Sequence, residues 1–213
     1  MESAFELRFQ VYCLECHFLD ADLYPYGRES DPHDAESAHF FSLNLAQELV
    51  GYVRLVPPDA AGRFLWQLHS DELLGGTVLP PPGQSAEISR LMVRRDYRRR
   101  RGDVLAGVTV TADGGPLTGE RRTESPQILL SMYRQMYQHS LMNGIRYWYA
   151  AMERPLARSL QRMDFHFRQV GPETDYFGPV APYVMDLRDV EFDVGKSSPA
   201  LLAWLQRPNA SQN

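Results

Sequence analysis

The chain has 213 residues, 44% of them apolar, and a formal net charge of −5. That length suits one large domain and the apolar share suffices for a core, while the acidic balance speaks against general nucleic-acid binding. No apolar run approaches the ~20 residues of a membrane-spanning helix, and the start of the chain lacks the basic and apolar stretches of a secretory signal, so the sequence predicts a cytoplasmic protein with reduced thiols.

Residues 4–18 predict a helix with Leu7, Val11, Leu14 and Phe18 on one stripe. It contains Cys13-Leu14-Glu15-Cys16-His17, the spacing of c-type haem attachment. That chemistry needs export and an exposed loop, so helix packing is the reading adopted. Residues 19–37 predict a loop, broken by Pro25, Gly27 and Pro32. Two strands follow at 38–45 and 48–56, joined by a turn short enough for an antiparallel hairpin. Residues 57–85 are irregular and end at Pro80-Pro81-Pro82-Gly83. The next strand, 86–93, carries Glu87 and Arg90 and runs into six arginines and Gly102. A stretch rich in Gly and Thr, 103–124, is expected to be a mobile insertion. Ser125-Pro126 then predicts a helix start and Asn143-Gly144 its end. A strand at 145–151, a short helix from Pro155, and strands at 165–170 and 180–187 complete the core. The division expected is one domain over 1–195 and a loose tail over 196–213 with one helical turn near Leu201–Leu205. Strands and helices in this order predict an α/β layer protein with a mixed central sheet flanked by helices.

Three groups of residues carry chemistry. The first is Glu87 with Arg90. Amide formation from a thioester needs an amine stripped of its proton, and a strand carboxylate can serve as that base. Residues three apart on a regular strand face opposite sides, so joint action of Glu87 and Arg90 requires a bulge. Alternatively, Arg90 pairs with a carboxylate elsewhere in the fold. The second group follows directly: Leu91, Met92 and Val93 offer main chain to a carrier arm, and Arg98, Arg99, Arg100, Arg101 and Gly102 offer positive charge to its phosphate. The third is Glu29, Asp31 and Asp34, three carboxylates without the ligand number of a calcium loop. On spacing alone they read first as a solvated acidic loop; as a site they suit a substrate ammonium, with Arg8 and Arg54 orienting the loop or holding a substrate carboxylate. No metal is expected.

In that order, Arg8, Phe18, Glu29-x-Asp31-x-x-Asp34, Gly51-x-x-Arg54-Leu55 and Glu87-x-Ser89-Arg90 resemble the acyl-homoserine-lactone (autoinducer) synthase superfamily. Leu-Arg-Phe-Gln-Val-Tyr-Cys-Leu-Glu, Ala-Glu-Ile-Ser-Arg-Leu-Met-Val and Gly-Pro-Val-Ala-Pro-Tyr resemble more closely the acyltransferases associated with PEP-CTERM/exosortase systems, a branch related to N-acyl amino acid synthases. The resemblance covers roughly residues 5–190. It implies a GNAT-like fold and an acyltransferase that takes a fatty acyl chain from acyl-carrier protein or CoA to the amine of an amino acid or similar acceptor. It implies Glu87 and Arg90 as catalytic groups, with Arg8, Glu29, Asp31, Asp34 and Arg54 at the substrate. The cosubstrate implied is the phosphopantetheine thioester, with no resident cofactor. Two other readings remain open: an autoinducer synthase using S-adenosylmethionine, and a non-catalytic protein that binds acyl carriers or lipids.

Overall fold

The computed structural model describes residues 1–98, 119–176 and 178–207, and only the backbone of 119–126. Arg99–Gly102 and most of the expected insertion, 103–118, lie outside the described residues. The described strands run in the order β1-β2-β3-β4-β7-β5, and β6 pairs with β7. This is the mixed sheet flanked by helices that the sequence predicts, and the chain divides into two compact units.

The first unit comprises Met1–Val56 and Ser89–Met132. Helix α1 (Glu2–Phe9) continues into a π-helical turn, Gln10–Glu15, where the Cys16 N–H reaches back to the Val11 carbonyl at 3.0 Å. The wider turn changes the stripe. Ala4, Leu7 and Val11 are buried as the 3.6-residue period requires, but Cys13 replaces Leu14 inside, and Leu14 is 45% exposed. Strands β1 (Ala38–Leu43) and β2 (Leu49–Val56) form the expected antiparallel hairpin, from Ala38 opposite Leu55 to Leu43 opposite Leu49. From Val50 onward β2 is buried on both faces, as a strand covered on two sides must be. Gly51 lets helix α2 (Gly119–Met142) close on it: a Cβ there would lie 2.7 Å from Ile128 Cγ2. The helix begins before Ser125, so the expected insertion ends earlier than its composition suggests. Ala4, Leu7, Val11, Tyr52 and Met92 make the core beneath α1.

The second unit comprises Pro57–Ile88 and Tyr133–Asn213. Strand β3 (Ser85–Val93) meets β4 (Tyr147–Met152) in parallel, with Ser85, Ala86 and Glu87 opposite Tyr147, Trp148 and Tyr149. Strand β7 (Pro179–Asp186) lies antiparallel to β4, and the two-residue strands β5 (Arg168–Gln169) and β6 (Thr174–Asp175) pair with β7. Helix α3 (Arg154–Gln161) opens on Pro155. The Trp148 indole donates to Ser140 Oγ at 2.8 Å, and Tyr133 stacks between Trp148 and Phe165. Helix α4 (Leu187–Ser197) follows, and α5 (Pro199–Gln206) takes in and extends the helical turn expected near Leu201–Leu205. Asp186 caps α4 through the Arg188 N–H, and Leu187, Val190 and Val194 supply its buried face.

Candidate active site

The acidic loop and its arginines assemble in the first unit. Asp31 opens a 3₁₀ turn, Pro32–Glu36, as a capping box: its side chain accepts from the His33 N–H while Asp34 accepts from the Asp31 N–H at 2.7 Å. That local geometry aims both carboxylates at arginines from three distant elements. Arg8 of α1 bonds Glu29 through Nε and Nη2 and Asp34 through Nη1. Arg54 of β2 makes a bidentate pair with Asp31, at 2.8 and 2.7 Å, and reaches Asp34 at 2.6 Å. Arg90 of β3 grips Glu29 through two nitrogens at 3.0 and 3.2 Å, touches Asp31 at 3.2 Å, and lies 4.9 Å over the Tyr12 ring. Three cations meet three anions, and Arg8, Glu29 and Arg54 have no exposed side-chain surface.

Burial by itself pushes the Glu29 carboxyl up, but the hydrogen bonds from Arg8 and Arg90 outweigh it and hold that group below the usual carboxylate range. The same opposition holds Asp31 down at about 2, with Arg54 its main partner, and keeps Asp34 low through Arg8. The trio and its three arginines form a neutral, interlocked cluster, in which Arg8 and Arg54 hold the loop's own carboxylates.

Arg90 and Glu87 separate accordingly. Arg90 sits in left-handed backbone, φ 56°, the expected departure from the strand's pleat. Its guanidinium nevertheless belongs to the cluster, which is the alternative of pairing with a carboxylate elsewhere in the fold. Glu87, in the second unit, is 4% exposed, and its Oε2 accepts the main-chain N–H of Trp66 at 3.2 Å. Opposite it in the ladder stands Tyr149, whose ring packs against Phe64 and Trp66 with centroids 4.7 and 5.9 Å away. Burial pushes the Tyr149 hydroxyl up to about 12. That hydroxyl and the indole N–H of Trp66 are buried without a hydrogen-bond partner among the described residues. Sequence reasoning missed both residues. Trp66 lies in the stretch read as irregular, on a 3₁₀ turn, Leu65–Leu68, and Tyr149 looks in sequence like any residue of a buried strand.

The residues proposed for the acyl donor fare unequally. Leu91, Met92 and Val93 are buried, so what they can offer a carrier arm is main chain. Arg98, its side chain 4% exposed, pairs with Glu15 at 2.7 Å and donates to the Val93 carbonyl at 2.6 Å, which ties the end of β3 to the π-helical turn. Arg94 pairs with Asp96 and Glu48. Arg95 is exposed. The haem spacing meets an equally plain outcome: Cys13 is buried, and burial pushes the Cys16 thiol up to about 11.

A family model described as an acetyltransferase (GNAT) domain matches residues 7–107, in agreement with the acyltransferase class expected from the sequence. Among curated proteins none is similar enough in sequence to match. Solved structures share the fold. The CoA-dependent acyl-homoserine lactone synthase BjaI, solved with SAM and isopentyl-CoA, superposes with a TM-score of 0.63 at 20% identity, over 98% of this chain and 82% of that one. The AHL synthase LasI gives 0.58 at 17% identity, over 87% and 82%. FeeM, an N-acyl amino acid synthase from uncultured soil microbes, gives 0.52 at 13% identity, over 90% and 87%. The chain thus has the GNAT-like acyltransferase fold. Among the described residues, no helix is long and apolar enough to cross a membrane.

Proposed function

We propose that the protein is an N-acyltransferase that moves a fatty acyl group from a carrier-protein or CoA thioester to the amine of an amino acid or similar small acceptor. The observation that carries this reading is Glu87: a buried carboxylate bonded to the main-chain N–H of Trp66 and paired in the ladder with Tyr149, two residues whose indole N–H and hydroxyl lack partners among the described residues. Buried polar groups without partners are rare unless something else fills the need. In the reaction the amine nitrogen attacks the thioester carbon and a C–N bond forms. Glu87 takes the proton that nitrogen loses, directly or through one water. The C–S bond then breaks, and the departing sulfur leaves as a thiol once protonated. The donor's phosphate is held by the basic stretch around Arg95 and Arg99–Gly102, and its arm by the main chain of Leu91–Val93. Arg8, Glu29, Asp31, Asp34, Arg54 and Arg90 act as positioning residues that fix the strand carrying Glu87.

The test is direct. The protein is incubated with long-chain acyl-carrier protein, or with acyl-CoA, and an amino-acid mixture, and acyl amides are sought by mass spectrometry with thiol release followed in parallel. Glu87→Gln is expected to lower kcat by about 10²–10⁴-fold, the range for a lost general base. Unchanged turnover in that variant refutes the mechanism.

The likeness to BjaI supports a second reading, an autoinducer synthase using S-adenosylmethionine. Methylthioadenosine release under saturating acyl donor would favour it, and acyl amides without that release would favour the first. The exosortase-associated setting is proposed on sequence resemblance.

A further inference from the structure

The main-chain donor that meets Glu87 is presented by a turn. Within the turn Leu65–Leu68, the Gln67 N–H reaches the Phe64 carbonyl at 3.1 Å, and the N–H groups of His69 and Ser70 reach the Trp66 carbonyl at 3.2 and 3.3 Å. None of these bonds uses the Trp66 N–H, which points instead to Glu87 Oε2 at 3.2 Å.

Phe64 precedes the turn in extended backbone, and its N–H is taken by Gln67 Oε1 at 2.9 Å. Gln67 thus bonds Phe64 twice, once through main chain and once through side chain, and closes a ring around Leu65 and Trp66. A 3₁₀ turn this short has few bonds of its own and poorer geometry than an α-helix, so the second closure carries weight. The rings on either side of it are fixed independently. Phe64 and Trp66 pack on Tyr149, the ladder partner of Glu87, and all three are buried with Val170 and Val184. Farther along, the Leu74 N–H donates to the Val170 carbonyl at 2.9 Å. The rings therefore set where the turn lies, and the Gln67 side chain sets how the main chain between them is wound.

We propose that Gln67 is a positioning residue for the proton transfer: its side-chain oxygen holds the turn that aims the Trp66 N–H at Glu87. The inference rests on the acyl-transfer reading and adds to it a half-buried residue that acts on the base without touching substrate. The Trp66 bond does two things for Glu87. It restricts where the carboxylate can point, and it favours the charged form over the acid. Losing the bond raises the pH at which Glu87 takes a proton, so the acid limb of kcat/KM moves to higher pH. The other titratable or charged groups near the turn in the second unit are Tyr149, Arg168, whose charge reaches the Tyr149 hydroxyl, and His69, which burial pushes down. Because His69 titrates in the acid range, Glu87→Gln is the control that assigns the signal.

Two measurements test this on the full chain. The first needs no turnover. In a proton–nitrogen NMR titration the Trp66 amide signal should shift as Glu87 is protonated and lose that shift in Glu87→Gln. It should lose most of it in Gln67→Met, which keeps the length of the side chain and removes its acceptor oxygen. Gln67→Glu, which returns an oxygen at the same reach, should restore it. The second is the pH profile of acyl transfer. Gln67→Met should lower kcat about 10–100-fold with KM little changed, as a misplaced catalytic group does, and move the acid limb upward; Gln67→Glu should recover most of the rate. Arg63→Ala, which breaks an exposed pair with Asp59 beside the turn, should leave both readings in place. A wild-type Trp66 signal that does not follow Glu87, one that follows it equally well in Gln67→Met, or one that Arg63→Ala disturbs as much overturns the proposal. The two readings fail separately. No amide from any thioester would remove the transfer, and the NMR titration would still decide the role of Gln67. Glu87-dependent amides made as fast by Gln67→Met as by the wild type would keep the transfer and remove the positioning role.

Discussion

Glu29→Ala probes the charge cluster most sharply. The variant deletes the one carboxylate that both Arg8 and Arg90 grip with two nitrogens each. Arg8 keeps Asp34 and a long contact to Asp31, and Arg90 keeps only Asp31, at 3.2 Å, among its charged partners. Three cations then face two anions, and the excess charge sits where Arg8 has no solvent exposure. Removing one member of a buried ion pair costs about 3–5 kcal/mol, because the remaining charge stays desolvated and uncompensated. For a chain of this size about 1 kcal/mol moves Tm by about 2–4 °C, so a fall of roughly 6–20 °C is expected in a thermal scan, with a matching shift in the urea midpoint at unchanged slope. The control is Arg28→Ala, which breaks exposed pairs with Glu2 and Glu6 (side chains 42%, 76% and 55% exposed) and should cost no more than about 1 kcal/mol. If Glu29→Ala proves as mild as Arg28→Ala, the cluster does not hold the acidic loop against the strands, and the positioning role assigned to it falls.

Asp31, held at about 2 against an ordinary 3.8, contributes stability that is complete above about pH 4 and lost as pH falls towards 2, about 2 kcal/mol in all; Asp31→Asn should flatten the urea midpoint across that window. Gly51→Ala places a methyl group 2.7 Å from Ile128 Cγ2 and 3.1 Å from Met132 Sδ, and should cost about 1–3 kcal/mol by overpacking, readable in the same denaturation assay. Cys16, its thiol at about 11, and buried Cys13 should alkylate slowly with iodoacetamide at pH 8, with the Cys16 rate still rising between pH 9 and 11.

What was legible in the chain follows from what is local. The hairpin and β3 are written in β-branched residues, β4 in aromatic ones and the opening of α3 in a proline position, and the structure moves their ends by only a few residues. The π-helical turn was not legible, because one extra residue in a helical turn leaves no mark on composition and shows only as Cys13 inside and Leu14 outside. Helix α4 was missed although Leu187, Val190 and Val194 keep helical spacing; the apolar strand running straight into it concealed the change of period. At the site, Arg8, Glu29, Asp31, Asp34, Arg54 and Arg90 stand out by type, yet which of them pair depends on contacts across 20–61 residues of chain. Trp66 and Tyr149 carry no motif. Tyr149 meets Glu87 only through strand register, and Trp66 only through its main-chain N–H.

The charge cluster bears on which carboxylates suit proton transfer. A general base must exchange a proton during each turnover, so its charged form must not be stabilised so strongly that protonation near neutral pH is out of reach. Glu29, Asp31 and Asp34 fail that requirement, because each is held low by guanidinium groups that cannot give up their charge. What they suit is rigidity: six charged groups from α1, the acidic loop, β2 and β3 leave the backbone at Arg90 few alternatives to the left-handed conformation it adopts. Glu87 lies three residues earlier on the same strand and accepts the main-chain N–H of Trp66. Under the proposed mechanism the sequence neighbours Glu87 and Arg90 divide the labour expected of them jointly: the arginine fixes the strand, and the glutamate takes the proton.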